Sequence, residues 1–441
     1  MNERYIAAVE ISSSKIVAAI GKTRGTGTLD IVAVEHEASP EGCIRYGIIQ
    51  NLEETSTSLG RLFSRLEQRP NIHPRKIKSV IVGLGGRSFK NITKEVALSL
   101  PEDTEITDEI LVRLRDQALH SAIDNTLEVV DAVPRVFKVG NSVTSSPKGM
   151  VGNHISGVFD LIVCRPELKR NIRRSLDKLH LDVDGFVVTA MATGHLILSP
   201  EEKRLGCMLV DMGAETITVT IYQKGALHYF ATIPMGGRNI SRDIASLGVV
   251  DAKAEEIKIT SGNALVENNV PNLNINGLKL TDISNLVVAR SEEIVANIIA
   301  QIEYAGLKDA DLQGGIVCIG GGFRLKGLLE LLEMQSGITV RRGTLPEYVR
   351  IEDNRANGVE IAEIASVLYA GATLTQKESL FMPERGAMPV NGVLPLDSEP
   401  EPEKKPEPEP KKKKSFFEKM GKTIGNIFSG ADEDDTDLLD D

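Results

Sequence analysis

Residues 207–221 read CMLVDMGAETITVTI, and residues 6–20 read IAAVEISSSKIVAAI. Laid over one another at a constant offset of 201, both are an apolar strand ending in one carboxylate, a turn of small residues, and a second strand rich in β-branched side chains. Glu10 falls on Asp211, Ser12 on Gly213, Lys15 on Thr216 and Ile16 on Ile217. A duplicated hairpin so far apart predicts two related halves. Apolar residues recur at helical spacing in 51–67 (Leu52, Leu59, Leu62, Leu66), 108–122, 286–302 (Ile294, Val295, Ile298, Ile299, Ile302) and 324–335. Strands and helices alternate, so the class is α/β.

The chain of 441 residues is long enough for about three domains. Its 51 Lys and Arg against 62 Asp and Glu leave a net charge of −11, which argues against a generic basic surface for nucleic acid. The charge is uneven: residues 397–441 hold fourteen acids against eight bases, and the rest is nearly balanced. Cys43, Cys164, Cys207 and Cys318 lie far apart without a C-x-x-C pair, against both a disulfide scaffold and a zinc site and in keeping with a reducing cytoplasm. The N-terminus has no signal-peptide core, and no run of about eighteen apolar residues occurs, so no membrane span is expected. The seven histidines never recur at i, i+3 or i+4, and packed or surface roles are expected for them. No G-x-S-x-G or Cys/His nucleophile pattern stands out.

A hairpin turn of Ser, Thr and Gly converges backbone N–H groups and lets a phosphate approach. Ser12, Ser13, Ser14 and Lys15 fit this description, as do Gly213, Ala214, Glu215 and Thr216. Taken singly, each reads more readily as an ordinary tight hairpin capped by polar residues, because small-residue turns have many uses. Facing one another they would clamp a nucleotide triphosphate, with Glu10 and Asp211 holding a hydrated Mg²⁺, which keeps its waters and needs one or two carboxylates. A third turn, Gly320-Gly321-Gly322, follows the apolar strand 315–319 and precedes a helix carrying Leu325, Leu328, Leu329 and Leu332. Pro234 to Ile240, with Gly236-Gly237-Arg238-Asn239 inside it, and Ala254-Glu255-Glu256-Ile257-Lys258 lie between.

The order of these elements resembles the actin, Hsp70 and sugar-kinase superfamily, and in detail the family of the bacterial cell-division protein FtsA. Residues 207–264 carry the likeness best: CMLVDMGAETITVTIYQKGAL, IPMGGRNISRDIA and AEEIKITSGNAL. Residues 147–152 (PKGMVG) and 198–203 (LSPEEK) resemble a loop of subdomain 1C and the link between halves. The resemblance implies an actin-like duplicated ATPase fold with an inserted 1C subdomain and a tail ending in an amphipathic helix. It divides the chain into 1–85 and 166–205 (subdomain 1A), 86–165 (1C), 206–236 (2A), 237–306 (2B), 307–383 (2A and the return to 1A), a linker 384–410, a membrane-targeting helix 411–429 and an acidic end 430–441.

It further implies ATP and Mg²⁺ as ligands: Glu10 and Asp211 near the metal, Ser12 to Lys15 and Gly213 to Thr216 around the phosphates, Gly237 and Asn239 near the ribose, Glu255 and Lys258 near the nucleoside, Gly320 to Gly322 under the adenine. The family's first motif usually reads Asp-x-Gly-Thr or Asp-x-Gly-Ser, where Glu10, Ser12 and Ser13 stand here. Glu215 replaces a small residue, and its repulsion of phosphate is expected to be offset by metal or Lys15. Binding, with at most slow hydrolysis, is the expectation. As partners the resemblance implies the FtsZ C-terminal peptide, met near Arg290, a second copy of the chain in a filament, later division proteins at 86–165, and the cytoplasmic face of the membrane at the septum.

The tail is read on its own terms as well. Pro395, Pro400, Pro402, Pro406, Pro408 and Pro410 alternate with Glu and Lys and form no core. At 100° per residue, Phe416, Phe417, Met420, Ile424, Ile427 and Phe428 fall in an arc of roughly 120° with Lys419 and Lys422 opposite. With Lys411 to Lys414 this is an interfacial pattern for an anionic membrane, weakened by seven acids in 432–441; a helix packing on a protein partner is the alternative. A metabolite kinase of the same superfamily would need an Asp base near its acceptor hydroxyl, and none stands out. A pilus-assembly relative shares the fold.

Overall fold

The computed structural model describes residues 3–23, 27–265 and 272–383. Phe416 to Phe428, expected to form a membrane-targeting helix, the expected linker 384–410 and the acidic end lie outside the described residues. In the first hairpin, Arg4–Ile11 and Lys15–Thr23 pair antiparallel with Glu10 opposite Val17 and Ile11 opposite Ile16. In the second, Cys207–Met212 and Ile217–Gln223 place Asp211 opposite Thr218 and Met212 opposite Ile217. Every partner is displaced by the same offset, so the repeat is one of register and not only of composition. The turns agree as well: Ser12 N–H donates to Lys15 O (3.1 Å) and Gly213 N–H to Thr216 O (2.9 Å).

Around each hairpin stands the same five-strand pattern. In the first half the order is Asp182–Val188, Ser79–Leu84, Arg4–Ile11, Lys15–Thr23, Leu29–Ala38, with Val349–Ile351 added at the outer edge. In the second it is Val340–Arg342, Ile316–Ile319, Cys207–Met212, Ile217–Gln223, Ala226–Ile233. Each central strand has parallel neighbours on one side and antiparallel ones on the other. Parallel neighbours require crossovers, and helices such as Leu52–Glu67 and Leu328–Ser336 supply them. Covered on both faces, the central strands are buried almost continuously, Ile6 to Val9 and Val17 to Ile20 among them. Alternation divides the second sheet between cores: Cys207 and Leu209 join the core of the first half, whereas Met208, Val210 and Met212 pack with Ile240, Ile257, Val287 and Ile298.

Local signals explain the helix ends. The Asn51 side-chain carbonyl accepts the N–H groups of Glu53 (3.0 Å) and Glu54 (3.2 Å), opening a helix whose Leu59, Leu62, Phe63 and Leu66 are buried. Each such side chain contributes about 1.5–3 kcal/mol on burial. Ser199 and Glu202 form a reciprocal capping box that starts Pro200–Leu205 within the 198–203 stretch read as a link. The helix expected over 286–302 is longer, Leu280–Tyr304, with Ile283 carrying its buried stripe about one turn further back. The helix expected over 108–122 stops at Leu119. The one expected over 324–335 begins only at Leu328, since Gly321–Arg324 winds into a 3₁₀ turn and Gly327 sits at φ +77°.

Between Ser79–Leu84 and Asp182–Val188 the chain leaves the first sheet and builds another, ordered Ser142–Thr144, Glu128–Val139, Val151–Cys164, Lys90–Glu105. The helix Asp108–Leu119 covers one face with Ile110, Leu114 and Ala118, over an edge-to-face pair of Phe137 and Phe159 with ring centroids 6.0 Å apart. Arg135 ties this insertion inward, bonding Asp160 twice (2.9 Å each) and His228 O (3.3 Å). All four cysteines are buried and unpaired. No helix of the described residues is long and apolar enough to cross a membrane.

Candidate functional site

The two hairpin carboxylates stand at corresponding strand ends, Glu10 paired across the sheet with Gly83 and Asp211 with Ile319. A Cβ added to Gly83 would lie 2.9 Å from both Thr189 Oγ1 and Val367 Cγ2, so the helix Ala362–Leu374 is pressed onto the sheet at the level of Glu10. Glu363 precedes Val367 by one turn and shares its face. The result is a cluster of carboxylates with Lys15. Burial pushes Glu10 well above the usual carboxylate range, Glu363 and Asp211 push it further, and Lys15 opposes them. Asp211 rises through burial and Glu363, to about 8, again against Lys15. Glu363 rises through burial as well. Sequence reading missed Glu363, which no local motif marks; its position at a helix N-terminus after a Gly-containing loop was the available signal.

The glycine turns close round these groups. Gly320 has φ +90°, and a Cβ there would lie 2.6 Å from Asp211 Oδ1 and 2.5 Å from Met212 O, so only glycine fits. Gly321, by contrast, is open to solvent with nothing within 4 Å. Gly236 presses on the carbonyls of Gly213 and Ala214, which accept the N–H groups of Gly237 (3.0 Å) and Arg238 (2.8 Å). The helix Gly237–Ala245 is thereby stitched to the second hairpin turn. Asn239 Oδ1 accepts the Gly236 N–H (3.0 Å). Lys258 Nζ donates to Gly237 O (3.1 Å) and to Glu255 (2.7 Å), and Glu255 also accepts from the Ser241 hydroxyl. In the first turn the Ser12 hydroxyl donates to Lys15 O (2.8 Å), while Ser39 holds the carbonyls of Ser12 and Ser14. The structure thus brings together Glu10, Ser12, Ser13, Ser14, Lys15, Asp211, Gly213, Ala214, Glu215, Thr216, Gly237, Asn239, Glu255, Lys258 and the three glycines Gly320, Gly321 and Gly322.

Two residues behave differently from expectation. Glu215 is not offset by Lys15: its buried carboxylate pairs with Arg238 (2.8 Å) and Arg45 (3.1 Å) and accepts the Tyr46 N–H (2.8 Å). Burial works to raise it, but Tyr46, Ser13 and Arg238 prevail and hold it below the usual range. Arg290 gives a bidentate pair to Asp243 (2.5 and 3.0 Å) and a further bond to Glu293, so a peptide carboxylate would have to displace these partners. Among the described residues no three His, Cys, Asp or Glu side chains converge closely enough for a bare metal ion. Glu10 and Asp211 are hard oxygen donors, of the kind that orient the waters of a hydrated Mg²⁺. A hollow of about 990 Å³ lies elsewhere, among Arg135, Phe186, His195, Tyr222 and Leu374.

Two α/β halves of common register, meeting at small-residue turns and carboxylates, define the actin-like class of proteins. A chain of the PilM-PilN type IV pilus biogenesis complex shares this fold with a TM-score of 0.57 at 16% identity, over 83% of this chain and 98% of that one. The family model described as cell division protein FtsA matches residues 208–368, and that described as the SHS2 domain inserted in FtsA matches 86–163, together more than half of the chain. Cell division protein FtsA of Pseudomonas aeruginosa is 26% identical over 83% of this chain and 89% of that one. The Bacillus subtilis protein of the same name is 28% identical over 82% and 84%. The chain belongs to the FtsA family of cell-division proteins.

Proposed function

We propose that the chain binds Mg-ATP in the cleft between its halves, polymerises on the inner face of the cytoplasmic membrane, and anchors FtsZ filaments there while recruiting later division proteins. The observation that carries the nucleotide part is the meeting of both hairpin turns, the Gly237 helix start, Lys258 and the Gly320–Gly322 turn beside the carboxylates. Bound Mg²⁺ would supply charge neutralisation for the phosphates; Glu10 and Asp211 would orient its waters and Lys15 would meet phosphate oxygens. Ser12 to Ser14 and Gly213 to Thr216 would enclose the phosphates, Gly237 and Asn239 the ribose, Glu255 and Lys258 the nucleoside, and the exposed backbone at Gly321 the adenine. ATP then acts as an assembly ligand that biases the two halves.

In this reading residues 86–165 serve filament and partner contacts, and Arg290 exchanges Asp243 for a carboxylate of the FtsZ peptide. Residues 411–429 lay their apolar arc in the headgroup region, each contact weak and many copies together strong. Sedimentation with anionic liposomes and FtsZ in Mg-ATP tests it, comparing the full chain with one ending at Pro410. The full chain is expected to carry FtsZ into the pellet, less so at high salt, and the shortened chain to leave it in solution. FtsZ that stays in solution with both chains contradicts the tether.

A further inference from the structure

Glu215 sits on the second hairpin turn with a side chain only 2% exposed, yet most of its partners belong to the other half of the molecule. Arg45 Nε lies 3.1 Å from Oε1 as an ion pair, and the Tyr46 amide donates to Oε2 at 2.8 Å. The Ser13 side chain of the first hairpin turn is a further neighbour that favours the charged carboxylate. From its own half, Arg238 donates to Oε1 at 2.8 Å, with Arg242 at 3.6 Å. Arg238 then reaches across to Ser13 O (3.1 Å), and within the first half the Gly47 amide donates to Ser13 Oγ (3.4 Å). Backbone geometry supports the junction. Tyr46 has φ +50°, its ring lies between the guanidiniums of Arg87 (4.4 Å) and Arg45 (5.7 Å), and its carbonyl accepts the Arg87 N–H (3.2 Å). Gly47 and Gly86 are so closely packed that a Cβ on either would strike backbone at 2.4–2.5 Å.

Three guanidiniums round one desolvated anion is the arrangement a protein uses to hold a phosphate. Here the anion is part of the chain. We propose that Glu215 is a positioning residue, a built-in anion that seats Arg45 and Arg238 and holds the two phosphate-turn loops at a fixed separation before any nucleotide arrives. The proposal rests on the nucleotide reading of the cleft only for its consequence: the halves are already bridged, so nucleotide adds less to their cohesion than it would in an unbridged cleft. Removing the carboxylate frees arginines beside the turns, and these are then available to a triphosphate.

The test uses the full-length protein, first without nucleotide. Glu215→Gln and Arg45→Ala are each expected to lower the melting temperature, Glu215→Gln by roughly 5 °C, and the double variant by clearly less than the two losses added, because both break one junction. Amide exchange at Tyr46 and Gly47 is expected to quicken by at least about tenfold in Glu215→Ala, which lacks the acceptor. With Mg-ATP added, Glu215→Gln is expected to gain a larger thermal shift than the natural chain. Unchanged exchange at Tyr46 and strictly additive losses would overturn the proposal. Altered exchange and non-additive losses with no Mg-ATP shift in any variant would uphold the junction and count against the nucleotide reading instead.

Discussion

Gly320 shows how much of the cleft depends on single atoms. Its φ of +90° and the 2.6 Å that would separate an added Cβ from Asp211 Oδ1 leave no room for alanine. Gly320→Ala is expected to cost at least about 2 kcal/mol of stability, read by urea unfolding, because strain and displacement of the half-buried Asp211 carboxylate and the Met212 carbonyl add. Gly321→Ala, with nothing within 4 Å, is expected to cost little. Reading the sequence found these glycines and both hairpin turns, because turn chemistry is local. It had no means of pairing Glu215 with Arg45, which stands in the other half, or of adding Glu363 to Glu10 and Asp211. Those neighbours are made by packing between distant segments, and no spacing rule encodes them.

Among the elements, the hairpin repeat was the most legible, since β alternation fixes register and a slip of one residue would turn Glu10 and Asp211 to the other face. Helix ends were less so: ahead of residue 286 the buried stripe of Leu280–Tyr304 rests on Ile283, set among Thr281, Asp282, Ser284 and Asn285, where a reading by apolar density sees little. The helix Ala362–Leu374 escaped notice altogether, although it packs on the first sheet and delivers Glu363. Its Leu368 is fully buried, and a Cβ on Gly21 would meet its Cδ1 at 3.4 Å. Leu368→Ala is expected to cost about 2–5 kcal/mol in urea unfolding. A value under about 1 kcal/mol would contradict this packing.

Across the whole molecule, the clustered carboxylates make stability depend on pH. Glu10, Asp211 and Glu363 hold protons when folded that the unfolded chain releases at ordinary carboxylate values. The folded state therefore binds more protons between that range and the raised values, about 8 for Asp211. The stability these groups contribute is full below the ordinary range and is lost as pH rises through the raised values. Without metal or nucleotide, the melting temperature is expected to fall on going from about pH 5 to about pH 8, and to fall less in Glu363→Gln. Equal slopes in the two proteins would show that Glu363 does not share in the cluster.

The two halves, their common register and the junction at Glu215 meet at one place, and nucleotide binding there is the central claim of the proposed function. Isothermal titration of the full chain with Mg-ATP tests it most directly. We expect one ATP per chain, loss of the signal in EDTA, and affinity weakened about tenfold or more by Lys15→Ala, which removes the cation beside Glu10, Asp211 and Glu363. A folded protein that gives no saturable binding, or binds equally well with Lys15→Ala and without Mg²⁺, would contradict the account.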